Sequence, residues 1–251
     1  MSKTTIPTGG ITADAINATL IADDAISEEH LDATAITGHT ALAESPADTD
    51  EFLISDGGTL KRLDAQYVGG GNLVFIQAAN LTSTASTIEL SNVFTSTYTN
   101  YFAIGHNIRP GNDNVRGMMR FKDSSGVLSG DLYDFAASGQ QSGSSGDATF
   151  ANDTSSIELT AVINQNSTAG GFNFHGYFYM PQVTALESFN TLPYFSGQVS
   201  YNNNNGHHCI RNVSVRYDNS TVDSVTGFQL FTTGTTSIDR GAVAVFGIKD
   251  S

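Results

Sequence analysis

The sequence predicts an all-β protein: a C-terminal antiparallel β-sandwich, jelly-roll-like, preceded by an extended arm that carries a repeat. Three features predict it. From Leu73 to Ile248, apolar and polar residues alternate in short runs, the period-2 signature of half-buried strands. Clusters of Gly, Asn, Asp and Ser separate those runs, and none of them has the 3.6-residue apolar period of a helix. Many short strands without intervening helices pack as a sandwich. The region before Gly69 is different. Of 15 Phe and 9 Tyr, only Phe52 and Tyr67 precede it, and its Ala, Thr and Asp content is high.

Charge divides the chain at the same place. Residues 1–68 hold 3 basic and 12 acidic side chains, whereas residues 69–251 hold 8 and 13. The net charge of −14 over 251 residues disfavours phosphate backbones, so nucleic acid is not an expected partner. No apolar run approaches the ~20 residues that a spanning helix needs, and the polar start Met1-Ser-Lys-Thr-Thr predicts synthesis in a cytosol without export. The single Cys209 excludes an intrachain disulfide framework and a cysteine-based zinc cluster. An aromatic content of 10% argues against a disordered chain.

Residues 1–39 form the predicted arm. Ile11, Ile16, Ile21, Ile26, Leu31 and Ile36 recur every five residues, and ITADAIN, IADDAIS and LDATAIT repeat every ten. Five residues advance an α-helix by a net 140°, so these side chains would spiral around it. On a strand, odd spacing sends them alternately to opposite faces. Neither element buries the set alone, which points to an intertwined oligomeric stem in which other copies supply the missing walls. A partly helical arm through Asp24–Leu31 and a disordered arm are the alternatives.

Residues 40–71 form a connector. Phe52-Leu-Ile and Thr59-Leu flank Ser55-Asp-Gly-Gly, which predicts a small β-hairpin. An isolated hairpin is only marginally stable, so this one should pack on something. The run Gly69-Gly-Gly is a hinge by composition.

Residues 72–251 form the predicted sandwich, with about ten strands. They fall at Leu73–Ala79, Tyr98–His106, Val115–Phe121, Val127–Ala136, Ile157–Ala161, Phe172–Met180, Phe195–Tyr201, Asn212–Tyr217, Thr226–Phe231 and Gly241–Ile248. Three stretches read as loops: the Ser/Gly-rich residues 138–156, Asn202–His208, and Asp218–Ser224. Long loops on a rigid sandwich are where binding usually sits.

Catalytic chemistry is not predicted, nor a metal or other cofactor. His207 and His208 are adjacent and would point to opposite faces of a strand, a poor arrangement for one ion. Asp131, Asp134 and Glu158 can be written as paired acids for glycoside hydrolysis, but nothing in their spacing favours that over solvated strand edges. Cys209 reads as a core residue. His175, Tyr177 and Tyr179 share the face opposite Phe172, Phe174 and Phe178. That stripe reads either as a contact for a sugar or a neighbouring subunit, or as a second buried face. Asn203, Asn204 and His207, in the Asn-rich loop, are the other candidate contacts for a receptor or subunit.

The repeats at 11–37, followed by TALAESPADTDEFLISDGGTLKRLDAQYV at 40–68, resemble the amino-terminal parts of tailed-bacteriophage virion proteins of the tail fibre type. The patterns FTSTYTNYFAIGHNIRP, VRGMMRFKDSSG and GAVAVFGIKDS are similar to their distal domains. The resemblance implies a non-enzymatic virion protein made in the host cytoplasm. It also implies a homotrimer, contacts with other virion proteins through the arm, and host attachment through the β-domain to a surface glycan or protein. The chain departs from long fibres in having no extended shaft. A capsid decoration or head-fibre protein is therefore the alternative.

Overall fold

The computed structural model describes residues 34–43, 46–47, 49–68, 71–142, 144–163, 171–182, 193–218, 224–234 and 237–249, together with Gly10 and Ile21. The chain divides into two units, Met1–Gly69 and Gly70–Ser251. Among the described residues it is all-β with antiparallel sheets, apart from single helical turns at Thr34–Thr37 and Ala65–Tyr67.

In the first unit, Ile11, Ile16, Ile26 and Leu31 lie outside the described residues, as does the side chain of Ile36. Ile21 is 38% exposed. The predicted hairpin is present as β1 (Glu51–Asp56) and β2 (Thr59–Asp64). Gly57 and Gly58 both have positive φ, 59° and 85°, the requirement of a two-residue type I′ turn. Lys61 pairs with Asp56 at 2.5 Å and Arg62 with Glu51 at 2.9 Å. No residue of the hairpin is buried within the chain, and Leu53 and Leu60 are 75% and 70% exposed.

Among its described residues the second unit contains twelve strands. They are β3 (Leu73–Leu81), β4 (Ile88–Leu90), β5 (Asn100–Pro110), β6 (Gly117–Lys122), β7 (Tyr133–Gln141), β8 (Ser144–Thr154), β9 (Ile157–Glu158), β10 (Phe172–Tyr179), β11 (Tyr194–Asn202), β12 (His208–Tyr217), β13 (Gly227–Thr232) and β14 (Ile238–Ile248). Eight form one sheet in the order β3-β14-β5-β10-β11-β12-β7-β8, and four form a second in the order β4-β13-β6-β9. The pairing is nested: β3 with β14, β4 with β13, β5 with β10, and β6 with β9, all antiparallel. The pairs β7–β8 and β11–β12 extend the larger sheet beyond β10.

Alternation decides which side chains fill the space between the sheets. Val115, Met119 and Phe121 are buried, as are Phe172, Phe174 and Phe178. Phe178 of the larger sheet meets Phe228 of the smaller at 4.9 Å between ring centroids, and Phe121 at 5.9 Å. Phe94 and Phe195 approach it at 4.8 Å each. A Cβ at Gly105 would collide with the Phe174 ring, so only glycine lets that ring lie against β5. The buried phenol of Tyr133 donates to the Leu128 carbonyl at 2.7 Å and accepts the Phe121 N–H at 2.9 Å. Burial pushes this phenol above the ordinary tyrosine range.

Two strands were not expected. β4 is only three residues long, too short for a period to register. Residues 144–154, read from sequence as part of a loop, form the edge strand β8 opposite β7. Tight packing does not specify this strand. Its backbone is paired on one side only, and its Ser, Gly and Asp content carries no alternation. The Asn202–His208 stretch is the turn between β11 and β12. Residues 219–223 lie outside the described residues.

Candidate functional site

The larger sheet turns one face inward and leaves the other uncovered within the described chain. Strand register brings one residue from each of its eight strands into a single outward row: Phe75, Phe246, Phe102, Tyr177, Ser196, Ser214, Ala136 and Phe150. The first four are aromatic. Phe75 lies 5.8 Å from Phe246, Phe246 lies 6.3 Å from Phe102, and Phe102 lies 5.2 Å from Tyr177. Tyr179 continues the patch at 6.0 Å from Tyr177, and Tyr194 at 5.7 Å from Tyr179.

His175, Tyr177 and Tyr179 therefore sit on the exposed face. Tyr177 and Tyr179 are 42% and 37% exposed, so among the described residues this is not a second buried face. The strand partners of Phe174 and Phe178 fill the core, and among the described residues nothing covers the opposite side.

The other half of the face is built from small polar residues. Ser196, Ser214, Ala136, Ser138 and Asn212 make its floor, and Phe150 stands at its far edge with 82% exposure. Tyr194 and Ser214 share a hydrogen bond between their hydroxyls, and the Gln198 amide donates to Asn212 Oδ1 at 3.2 Å. A depression of about 360 Å³ opens here, lined by Ala136, Ser138, Phe150, Ser196, Asn212 and Ser214 among others.

A charged cluster of three, Arg216 with Asp134 and Asp218, edges this surface. Arg216 Nη2 donates to Asp134 Oδ2 at 2.7 Å and to Asp218 Oδ2 at 2.8 Å. The Arg216 hydrogen bond holds the Asp134 carboxyl below its usual range, helped by the Asp153 N–H at 3.1 Å. Lys122 does the same to Glu89 through a 2.5 Å contact. A carboxyl depressed on folding contributes stability above the unfolded pKa, near ~4, and loses it as pH falls through the folded value. Thermal melts from pH 6 to pH 2 should show a falling midpoint below about pH 4. Arg216→Ala should flatten part of that acid limb; an unchanged limb would count against the assignment.

The remaining candidates lie elsewhere. Asn203 is buried and braces its own turn: its Oδ1 accepts the N–H groups of Asn205 and His207 at 3.0 Å each, and its Nδ2 donates to Gln141 at 2.6 Å. Asn204 is exposed, and its N–H donates to the Val162 carbonyl at 3.2 Å. His207 is half-buried in the same turn. This turn is about 16 Å along β11 from the partner of His175, at ~3.3 Å per residue, so the structure does not bring the two groups together. Asp134 and Glu158 fall on opposite sides of the larger sheet. Glu158 accepts from the inward-turned Arg211 at 3.1 Å, and Arg116 reaches it at 3.3 Å. Cys209 is buried, with Sγ donating to the His207 carbonyl at 3.5 Å.

Sequence reading missed the eight-strand row, because it depends on strand order. It also missed Phe150, which lay in a presumed loop, and the buried Arg211. The last was within reach: extending the parity of Val213 and Val215 by one step turns Arg211 inward.

Among the described residues, no group of three or more His, Cys, Asp or Glu is placed to hold a metal ion. Among the same residues, no helix is long and apolar enough to cross a membrane. What the fold and face define is an antiparallel β-sandwich with an uncovered, nearly uncharged, part-aromatic sheet surface. No protein-family model, curated protein or solved structure matches the chain.

Proposed function

We propose that this chain is a tailed-phage virion protein, fibre-like and homotrimeric, that attaches the particle to its host through the β-sandwich. The observation that carries the reading is the uncovered sheet face. An aromatic row crossing half of an eight-stranded sheet, with little charge, is a contact surface rather than a solvated one. The sequence resemblance supplies the virion setting. The nested pairing of first strand with last supports a jelly roll, since it is what a long hairpin makes when wrapped into two sheets.

Oligomerisation draws support from the connector. Among the described residues, the two-stranded hairpin with its exposed leucines has no third strand or packed face to stabilise it. Further copies of the chain supply those walls. Tethering three distal domains makes weak host contacts additive.

Light scattering at micromolar concentration should give three times the 26.5 kDa chain mass. A monomer would overturn the trimer. Substituting both exposed leucines, Leu53→Asp with Leu60→Asp, should shift that mass towards the monomer and leave the sandwich's melting temperature unchanged. Fluorescently labelled protein should coat host cells. The same flat apolar surface also suits a capsid lattice, which is the second reading; hundreds of copies per virion with no cell coating would favour it.

A further inference from the structure

We propose that the depression between Phe150 and the Tyr177–Tyr194 side of the sheet is a binding trough for a neutral oligosaccharide. The proposal names a ligand class for the attachment reading above and rests on it. Three features of the trough point to this chemistry.

The first is the arrangement of walls and floor. In the outward row, Tyr177 is followed by Ser196, Ser214 and Ala136 and then by Phe150. Three small side chains between two aromatic ones leave a gap about four strand spacings wide, ~19 Å at ~4.8 Å each. Phe150 is held on a paired strand yet 82% exposed, so its ring offers a face with nothing on it. Pyranose rings are amphipathic in the complementary way, with apolar C–H faces and hydroxyl edges. Rigid aromatic walls accept the faces at low entropic cost.

The second is the floor's polarity. Ser138, Ser196 and Ser214 bring hydroxyls, each able to donate and accept, and Asn212 brings an amide. The contacts of Tyr194 with Ser214 and of Gln198 with Asn212 fix two of these groups in place. A mixed donor and acceptor floor suits sugar hydroxyls better than it suits an aliphatic peptide side chain, which would leave the floor unpaired. The volume of about 360 Å³ lies within the ~300–1,000 Å³ of small-molecule sites.

The third is charge. None of the described residues lining the trough is ionisable, and at its rim the Arg216 guanidinium is engaged by both Asp134 and Asp218. Residues 69–251 hold 8 basic and 13 acidic side chains, a net negative charge that disfavours anionic sugars, and among the described residues lining the trough no cation offsets it. The ligand is therefore uncharged.

The test uses the full chain with three uncharged probes, maltohexaose, cellohexaose and mannohexaose, and the hyaluronan hexasaccharide as anionic control. Saturation-transfer NMR and tyrosine fluorescence both read the site, and the chain has no Trp to mask the latter. At least one uncharged probe should bind, with the anionic control at least ten-fold weaker. Phe150→Ala should weaken binding at least ten-fold by removing a wall, and Ser214→Phe should abolish it by filling the floor. Both variants should keep the wild-type melting temperature and mass. Failure of all three uncharged probes, equal binding by the variants, or preference for hyaluronan would each overturn the trough. So would a change of mass in either variant, which would assign the face to a second copy of the chain. The two readings fail separately. Cells coated equally by wild type and Phe150→Ala would sink the trough and spare attachment; intact oligosaccharide binding without cell coating would do the reverse.

Discussion

Replacing Glu158 by alanine is expected to destabilise the sandwich by about 3–5 kcal/mol, the usual cost of stranding one partner of a buried ion pair. Arg211 is fully buried on β12, and its Nη1 donates to Glu158 Oε1 of β9 at 3.1 Å. The pair therefore ties the larger sheet to the smaller one. Removing the carboxylate would take away the ion-pair partner of a fully buried guanidinium. Arg211→Met should cost less. The remaining carboxylate keeps Arg116 at 3.3 Å, and water can reach its partly exposed side chain. Combining Arg211→Met with Glu158→Leu should recover much of the loss, because a packed apolar pair needs no desolvated charge. Urea titrations followed by far-UV circular dichroism measure all three. A loss below about 1 kcal/mol for Glu158→Ala would mean that the guanidinium is solvated after all.

The second large effect belongs to Phe178. Its ring is essentially buried and lies within 6 Å of Phe94, Phe121, Phe195 and Phe228, which come from both sheets and from the segment before β5. Phe178→Ala should cost about 3–5 kcal/mol, combining lost transfer energy with a cavity that neighbours held by two sheets cannot collapse into. Domains of this size have about 5–15 kcal/mol in all, so the variant should sit near its unfolding threshold at 37 °C. The adjacent Tyr177→Ala, which faces outward and loses only cross-strand ring contacts, should cost about 1 kcal/mol. The contrast between neighbours is the sharper test. Similar losses at 177 and 178 would mean that the outer face is also packed, most simply by another copy of the chain.

That contrast also marks how far the sequence reaches. Parity along one strand is a local property, so the inward Phe172, Phe174 and Phe178 and the outward His175, Tyr177 and Tyr179 can be read directly from their order. The Gly57-Gly58 turn can be read for the same reason: its conformation is specified by the two residues that adopt it. The row from Phe75 to Phe150 cannot be found this way. Its members lie between residues 75 and 246, and they become neighbours only through the order in which eight strands pair.

Edge strands raise a second difficulty. β8 faces solvent on its outer side and is bonded along one edge only, so its residues are free to be Ser, Gly, Asp and Asn, the vocabulary of loops. Phe150 is the exception in that composition. Asn203 shows the converse error. An Asn-rich loop invites a binding role, yet this side chain is occupied in shaping its own turn.

The nested strand pairing has a consequence for how the chain reaches its native state. Leu73 on β3 pairs with Ile248 on β14, and Asn100 on β5 pairs with the same Ile248 and with Tyr179 on β10. Contacts so distant in sequence require large loops to close before any reward is collected, which places such a domain among slow folders, on the scale of milliseconds to seconds. During synthesis at ~5–20 residues per second, β3 must wait roughly ten seconds or more for its partner to leave the ribosome. The β5–β10–β11–β12 portion is available earlier, and it carries Phe178. Folding should therefore begin in the middle of the sequence and finish with β14 sliding between β3 and β5, so the last strand made is the one that closes the larger sheet.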